Sequence, residues 1–215
     1  MRHRFSIIVN IFVCAFILSG CISVARSPSP RFYRLSSLSL EQSCEKVKIA
    51  ADTLIGVGPV RIPDYLNRPQ IVTVNKDKTM AFAQFDRWGE SLDVAVTRVL
   101  DENLTFLLEG SDVQMHPWNM FVPVRFQVTL EVIRLDIDLK QDVELVVQWS
   151  ILDLKDKNFI FSQRSVLRAA VEPLSYAGAE RAISIVLSQL SSEIAHELSR
   201  LLTMHQEKKQ HTIAI

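Results

Sequence analysis

Two rhythms of apolar residues divide this chain. Leu92, Ala95, Val96, Val99, Leu100, Asn103, Phe106 and Leu107 recur at helical spacing, with Asp93, Arg98, Asp101 and Glu102 on the opposite side. Ser91 stands where an N-cap belongs and Gly110 where a helix stops, which predicts a helix between them. Ile183, Val186, Leu187, Leu190, Ile194, Leu198 and Leu201 form a second stripe of the same period, predicting a long amphipathic helix over residues 175–202. Elsewhere the period is two. Phe126, Val128, Leu130, Val132 and Leu135 alternate with Arg125, Gln127, Thr129, Glu131 and Arg134, and residues 143–154 and 159–170 repeat the behaviour around a polar turn. These three segments read as an antiparallel meander.

The first half of the chain is punctuated more heavily. Residues 32–35 predict a short strand and residues 36–45 a polar loop. Residues 47–60 are β-rich, with Gly56, Gly58 and Pro59 marking the end of that run. Residues 61–69 hold Pro63 and Pro69 and form a turn. Residues 71–74 and 80–85, joined by Asn75-Lys76-Asp77-Lys78, predict a hairpin. Strands, helix, three strands, helix is an α+β order. Each helix has a single apolar stripe, so the expected architecture is one two-layer domain over residues 31–203, a mainly antiparallel sheet covered by two amphipathic helices. A polar tail, residues 204–215, follows.

The N-terminus obeys a different logic. Arg2 and Arg4 precede an apolar run from Phe5 to Leu18, and small residues Ser19 and Gly20 come before Cys21. That is the layout of a secretory signal over residues 1–20, and the run is shorter than the ~18–20 apolar residues needed to span hydrocarbon. Leu18-Ser19-Gly20-Cys21 resembles the bacterial lipobox, in which the Cys thiol receives a diacylglycerol and cleavage occurs before it. The lipidation site is then Cys21, and an ordinary signal with an incidental Cys is the alternative. Residues 21–30 contain Pro28 and Pro30 and read as an extended tether. Ile22 follows Cys21 where inner-membrane lipoproteins typically carry Asp, which favours the outer membrane, periplasmic side, by the sorting rule of that class.

Charge then removes several functions. The full chain has 24 basic and 24 acidic residues; without Arg2 and Arg4 the balance is 22 against 24, a net of −2. No basic surface for nucleic acid follows. After Cys14 leaves with the signal and Cys21 is lipidated, Cys44 has no intrachain partner, and is a buried apolar residue, an intermolecular crosslink or an exposed thiol. No Cys/His spacing matches a metal site, and no cofactor is expected. His116, His196 and His205 lack the motifs of a hydrolase or zinc protease: His196-Glu197 is followed by Leu198-Ser199-Arg200, without the second histidine. An enzyme is not expected.

Residues 57–72 (VGPVRIPDYLNRPQIV) resemble the signature of the PqiC-like family of ABC-type transport auxiliary lipoproteins, also called YmbA or DUF330. Residues 85–92 (FDRWGESL), residues 98–104 (RVLDENL) and residues 32–35 (FYRL) fit it too. One departure is Gly89-Glu90-Ser91, where the family often has Ala, an acid and Pro. The resemblance implies an outer-membrane auxiliary component of a PqiABC-like intermembrane lipid transport system supporting envelope integrity. Its partners would be a PqiB-type MCE-domain protein and a PqiA-type membrane protein, and the chain a homo-oligomer. A generic periplasm-facing lipoprotein binding a soluble ligand or peptidoglycan is the alternative. Tyr65, Arg68 and Trp88 are the candidate partner-binding residues, because Tyr, Arg and Trp are enriched at interface hot spots. The competing role for each is structural: Tyr65 plugging the core and Arg68 pairing a carbonyl or an acid.

Overall fold

The computed structural model describes residues 28–37 and 46–213, except for the side chains of residues 50–52 and 205–213. The signal segment, Cys21, Cys44 and most of the tether lie outside the described residues. Among the described residues, eight strands and two helices follow one another as β1 (Arg31–Tyr33), β2 (Val47–Arg61), β3 (Gln70–Val74), β4 (Met80–Trp88), α1 (Leu92–Leu107), β5 (Leu108–Met115), β6 (Phe126–Ile137), β7 (Asp142–Asp153), β8 (Asn158–Ala170) and α2 (Tyr176–Ile213). A five-stranded sheet runs β5-β2-β6-β7-β8, and a three-stranded one runs β1-β4-β3. The fold is α+β, as the order of rhythms predicts.

Both helices bury their stripes against the larger sheet. Leu92, Ala95, Val96, Val99, Leu100, Leu104 and Leu107 of α1 are buried, as are Ile183, Val186, Leu187, Leu190, Ile194, Leu198 and Leu201 of α2. The facing strands contribute Ile55, Val57, Phe126, Val128, Leu130, Val143, Leu145, Val147 and Ile151. Two polar groups are built into this core with partners: the Asn103 amide donates to Ser191 Oγ at 3.0 Å, joining the helices, and the Trp149 indole donates to Ser165 Oγ at 3.0 Å. Outward positions on β7 and β8 include polar pairs, with Gln148 bonded to Ser162 at 2.9 Å and Glu144 clamped by Arg134 and Arg168, beside the exposed apolar Phe159 and Val166.

The meander pairs antiparallel along its full length, and its longest ladders are antiparallel. At β2 the pattern changes, because β2 pairs in parallel with β5 on one side and β6 on the other. Alternation on β6 slips once: Ile133 is an exposed bulge between Val132 and Arg134, and this returns Leu135 to the core side.

Four local expectations are revised. The first helix ends at Leu107, and the next eight residues form β5, a strand absent from the sequence reading. Gly110 is therefore no helix stop. It sits at the register break between Lys48 and Thr53 with φ 93°, where an added Cβ would stand 3.0 Å from the Ile49 carbonyl. Ser91 occupies the N-cap, yet its hydroxyl makes no cap bond; its carbonyl accepts from Ala95 N at 2.9 Å. Gly58 and Pro59 fall at a bulge between Val57 and Val60, and β2 continues to Arg61. Finally, helical backbone in α2 runs to Ile213, past the point where the sequence turns polar.

One strain on α1 can be tested. Asp101 has a buried Oδ1 without a hydrogen-bond partner, and burial, then the neighbouring Glu102, pushes its carboxyl pKa upward. A raised folded-state value favours the protonated form, so stability present below the ordinary carboxylate pKa is lost as pH rises through the folded value. Asp101→Asn should therefore melt higher than the parent near pH 7, and the gap should close in mild acid. Thermal scans across pH 4–7 check this.

Candidate docking surface

Residues 62–69 are a tight turn stitched by its own backbone. Leu66 N donates to the Pro63 carbonyl at 2.9 Å, Asn67 N to Asp64 at 3.1 Å and Arg68 N to Leu66 at 2.8 Å. Leu66 plugs the core at 3% exposure, and Pro69 is tied to β4 by Trp88 N at 2.7 Å. The segment thus bridges the two sheets.

The three candidate residues surround this turn and take different positions. Tyr65 is half-buried, and its hydroxyl accepts from Leu135 N at 3.2 Å, just beyond the β6 bulge. Burial pushes its phenol pKa upward. Trp88 is 6% exposed and belongs to the core. Arg68 is half-buried, its Nε enclosed without a hydrogen-bond partner, and its guanidinium lies 4.2 Å from the ring of Phe82, a cation–π contact. Phe82 and Met80 are each about half exposed on one face of β4. The sequence reading passed over these two. Their signal was the alternation Met80-Ala81-Phe82-Ala83, with large apolar groups on one face and alanines on the other, of which Ala83 is buried.

Other motif residues lock the start of the domain. Asp86, 4% exposed, accepts from Arg31 Nε at 2.8 Å, Arg31 Nη2 at 3.0 Å and the Tyr33 hydroxyl at 2.7 Å. Burial, and then the bond to Asp86, pushes the Tyr33 phenol upward. Arg98 donates to Glu90 Oε1 at 2.7 Å and to the Leu35 carbonyl at 2.9 Å. These contacts pin β1 parallel to β4 and fix the direction from which the N-terminal segment arrives.

The two ends of the large sheet differ. At one end the β3–β4 turn faces the β6–β7 turn across clefts of about 510 and 460 Å³, bordered by Lys76, Lys78, Asp138 and Lys140. At the other end the β5–β6 loop presents Met120 and Phe121, 87% and 84% exposed. That loop is held from below: Trp118 packs over Gly56, where an added Cβ would lie 2.5 Å from its ring, and Arg125 pairs with Asp153. Among the described residues no three His, Cys, Asp or Glu side chains gather to hold a metal ion. His116 closes β5 with its backbone on Val57, and His196 Nδ1 meets the Ser192 carbonyl on α2, so the histidines fall in separate places. No described helix is long and apolar enough to cross a membrane.

Comparison with known proteins assigns this α+β architecture and its turn motif to a family. The chain belongs to the family described as the ABC-type transport auxiliary lipoprotein component, whose model matches residues 33–195. Two solved structures share the fold. A crystal structure of an uncharacterized protein superposes with a TM-score of 0.65 at 19% identity, covering 80% of this chain and 99% of its own. A Xanthomonas campestris protein of the DUF330 family superposes with a TM-score of 0.64 at 11% identity, covering 84% and 99%. No curated protein sequence matches this chain.

Proposed function

We propose that this chain is the outer-membrane auxiliary lipoprotein of a PqiABC-like intermembrane lipid transport system, anchored through Cys21 and facing the periplasm. The family match over residues 33–195 carries the reading, joined to the Leu18-Ser19-Gly20-Cys21 motif upstream of it. A filled interior favours it over a soluble-ligand carrier: the apolar void between sheet and helices, lined by Ile62, Leu130, Ile183 and Leu190 among others, is only about 10 Å³. The role is structural. The domain, as copies arranged with matching symmetry, meets a PqiB-type MCE protein held by a PqiA-type membrane protein. Contact with the partner runs through the Tyr65–Arg68–Trp88 region, where Tyr65 and Trp88 set the turn and Arg68 with Phe82 offers the reachable surface.

Cys21→Ser should leave an uncleaved, mislocalised precursor that no longer incorporates a fatty-acid probe. A serine variant that still takes the label would overturn the attachment site. Affinity purification of the lipidated chain should recover a PqiB-type MCE protein, and Arg68→Ala should weaken that recovery while leaving the melting temperature nearly unchanged. Absence of MCE and permease genes from the neighbourhood, with no copurification, would remove the transport reading.

A further inference from the structure

We infer that the β3–β4 turn is a second membrane contact, seating the domain on the lipid surface beside the acyl chains of Cys21. The inference rests on the proposed lipid attachment, and its geometry comes from strand polarity. Because β1 is parallel to β4, with Arg31 opposite Asp86, the residues before Arg31 leave the sheet toward the β3–β4 turn. Ten residues from Cys21 to Pro30 span at most about 33 Å. From Asp86 back to Lys78 is eight residues of β4 and its turn, about 26 Å at strand rise. The anchor and the turn can therefore reach one plane, while the Met120–Phe121 loop lies at the opposite end of the sheet, away by the length of β6, roughly 40 Å.

The chemistry of the turn suits a lipid headgroup layer. Lys76 and Lys78 are exposed at its tip, and Lys140 stands across the adjoining cleft. Met80, half exposed, follows directly on β4. Lysines beside an apolar side chain can hold their ammonium groups among phosphates while the thioether enters the acyl boundary. Asp77 and Asp138 at the two turn tips are tied into the turns, Asp77 accepting from Thr79 N at 3.0 Å and Thr79 Oγ1 at 2.6 Å and Asp138 from Lys140 N at 2.8 Å. Asp136 and Glu144 farther along the cleft pair with Arg134 and Arg168, and Asp142 lines the same cleft. Lys78 adopts φ 67°, and Asn75 N and Lys78 N close the turn on Thr79 and Asn75 carbonyls at 2.9 Å each, so the tip is shaped in advance. A lipid attachment supported by lysines at the turn tip beside a half-exposed methionine is a two-signal arrangement.

The test uses the full lipidated chain in vesicles of phosphatidylethanolamine and phosphatidylglycerol containing spin-labelled lipid. A fluorophore is placed at Lys78→Cys, Met80→Cys or Phe159→Cys in a Cys44→Ser background. Flotation with the vesicles reports attachment, and quenching reports proximity. Labels at positions 78 and 80 should be quenched several-fold more than the label at 159, and the pair Lys76→Glu and Lys78→Glu should reduce quenching at 80 without stopping flotation. A floating protein with positions 78 and 80 unquenched, or quenched no more than 159, overturns the membrane contact and leaves that surface to a protein partner, with the attachment intact. Unchanged quenching in the double glutamate variant overturns the lysine contribution. A chain that fails to float removes the attachment reading and this inference with it.

Discussion

Leu190→Ala should lower the melting temperature of the full chain by roughly 5–15 °C, the fall expected of a buried leucine truncation costing ~2–5 kcal/mol in a domain of this size. Leu190 is completely buried in α2 and faces the small void shared with Leu130, Leu145 and Leu187. The truncation enlarges a void already present, and the sheet on one side and the helices on the other are regular elements that limit collapse into it. The loss should therefore fall toward the upper half of the range. Leu190→Met, which conserves volume, should cost much less. A melting shift of a degree or two for Leu190→Ala would show that α2 does not carry the core.

The same scan separates folding from docking at the turn. Tyr65→Ala removes the acceptor for Leu135 N at the β6 bulge and should destabilise, though less than Leu190→Ala. Arg68 offers the cleaner probe, because its guanidinium stacks on the half-exposed Phe82 and makes none of the turn's backbone hydrogen bonds.

Which parts of this structure were legible in the sequence follows from where side chains carry the information. The helices and the β6–β8 meander were readable because each buries one regular face, and a regular face writes a period into the sequence. Strand β5 wrote none. Its residues Leu108–Met115 sit at the sheet edge with only Leu108 buried, so the backbone pairing with β2 determines the element. The parallel pairing of β2 on both sides was equally hidden, since it depends on crossovers distant in sequence. Gly58 and Pro59 looked like a terminus because bulges and strand ends use the same residues. At the candidate surface, residue type pointed to Tyr65, Arg68 and Trp88, but type cannot report burial. The structure puts Trp88 in the core and adds Phe82 under Arg68.

Asp153→Ala should be the other severe substitution, costing about 2–3 kcal/mol by denaturant unfolding. Asp153 is fully buried at the end of β7. Its Oδ2 meets Arg125 Nη2 at 2.5 Å, and its Oδ1 accepts from Lys155 N at 2.9 Å and Asp156 N at 3.1 Å. Alanine removes the acceptor from two turn N–H groups and leaves Arg125 without its main partner. Breaking a buried pair from one side costs ~3–5 kcal/mol. The estimate is lower here because the Arg125 side chain is 28% exposed and Asp156 lies 3.6 Å away to share its charge. Asn at position 153 keeps an acceptor for the turn but loses the ion pair, so Asp153→Asn should recover part of the loss. The carbonyl of Arg125, the residue just before β6, accepts from Leu154 N at 3.0 Å, which joins the base of the Met120–Phe121 loop to the β7–β8 turn. Hydrogen exchange in Asp153→Ala should therefore accelerate first at residues 116–125 and 154–157, with the helices protected until global unfolding. Uniform acceleration across both helices would mean that this end of the sheet belongs to the global cooperative unit and is not a locally fastened tip.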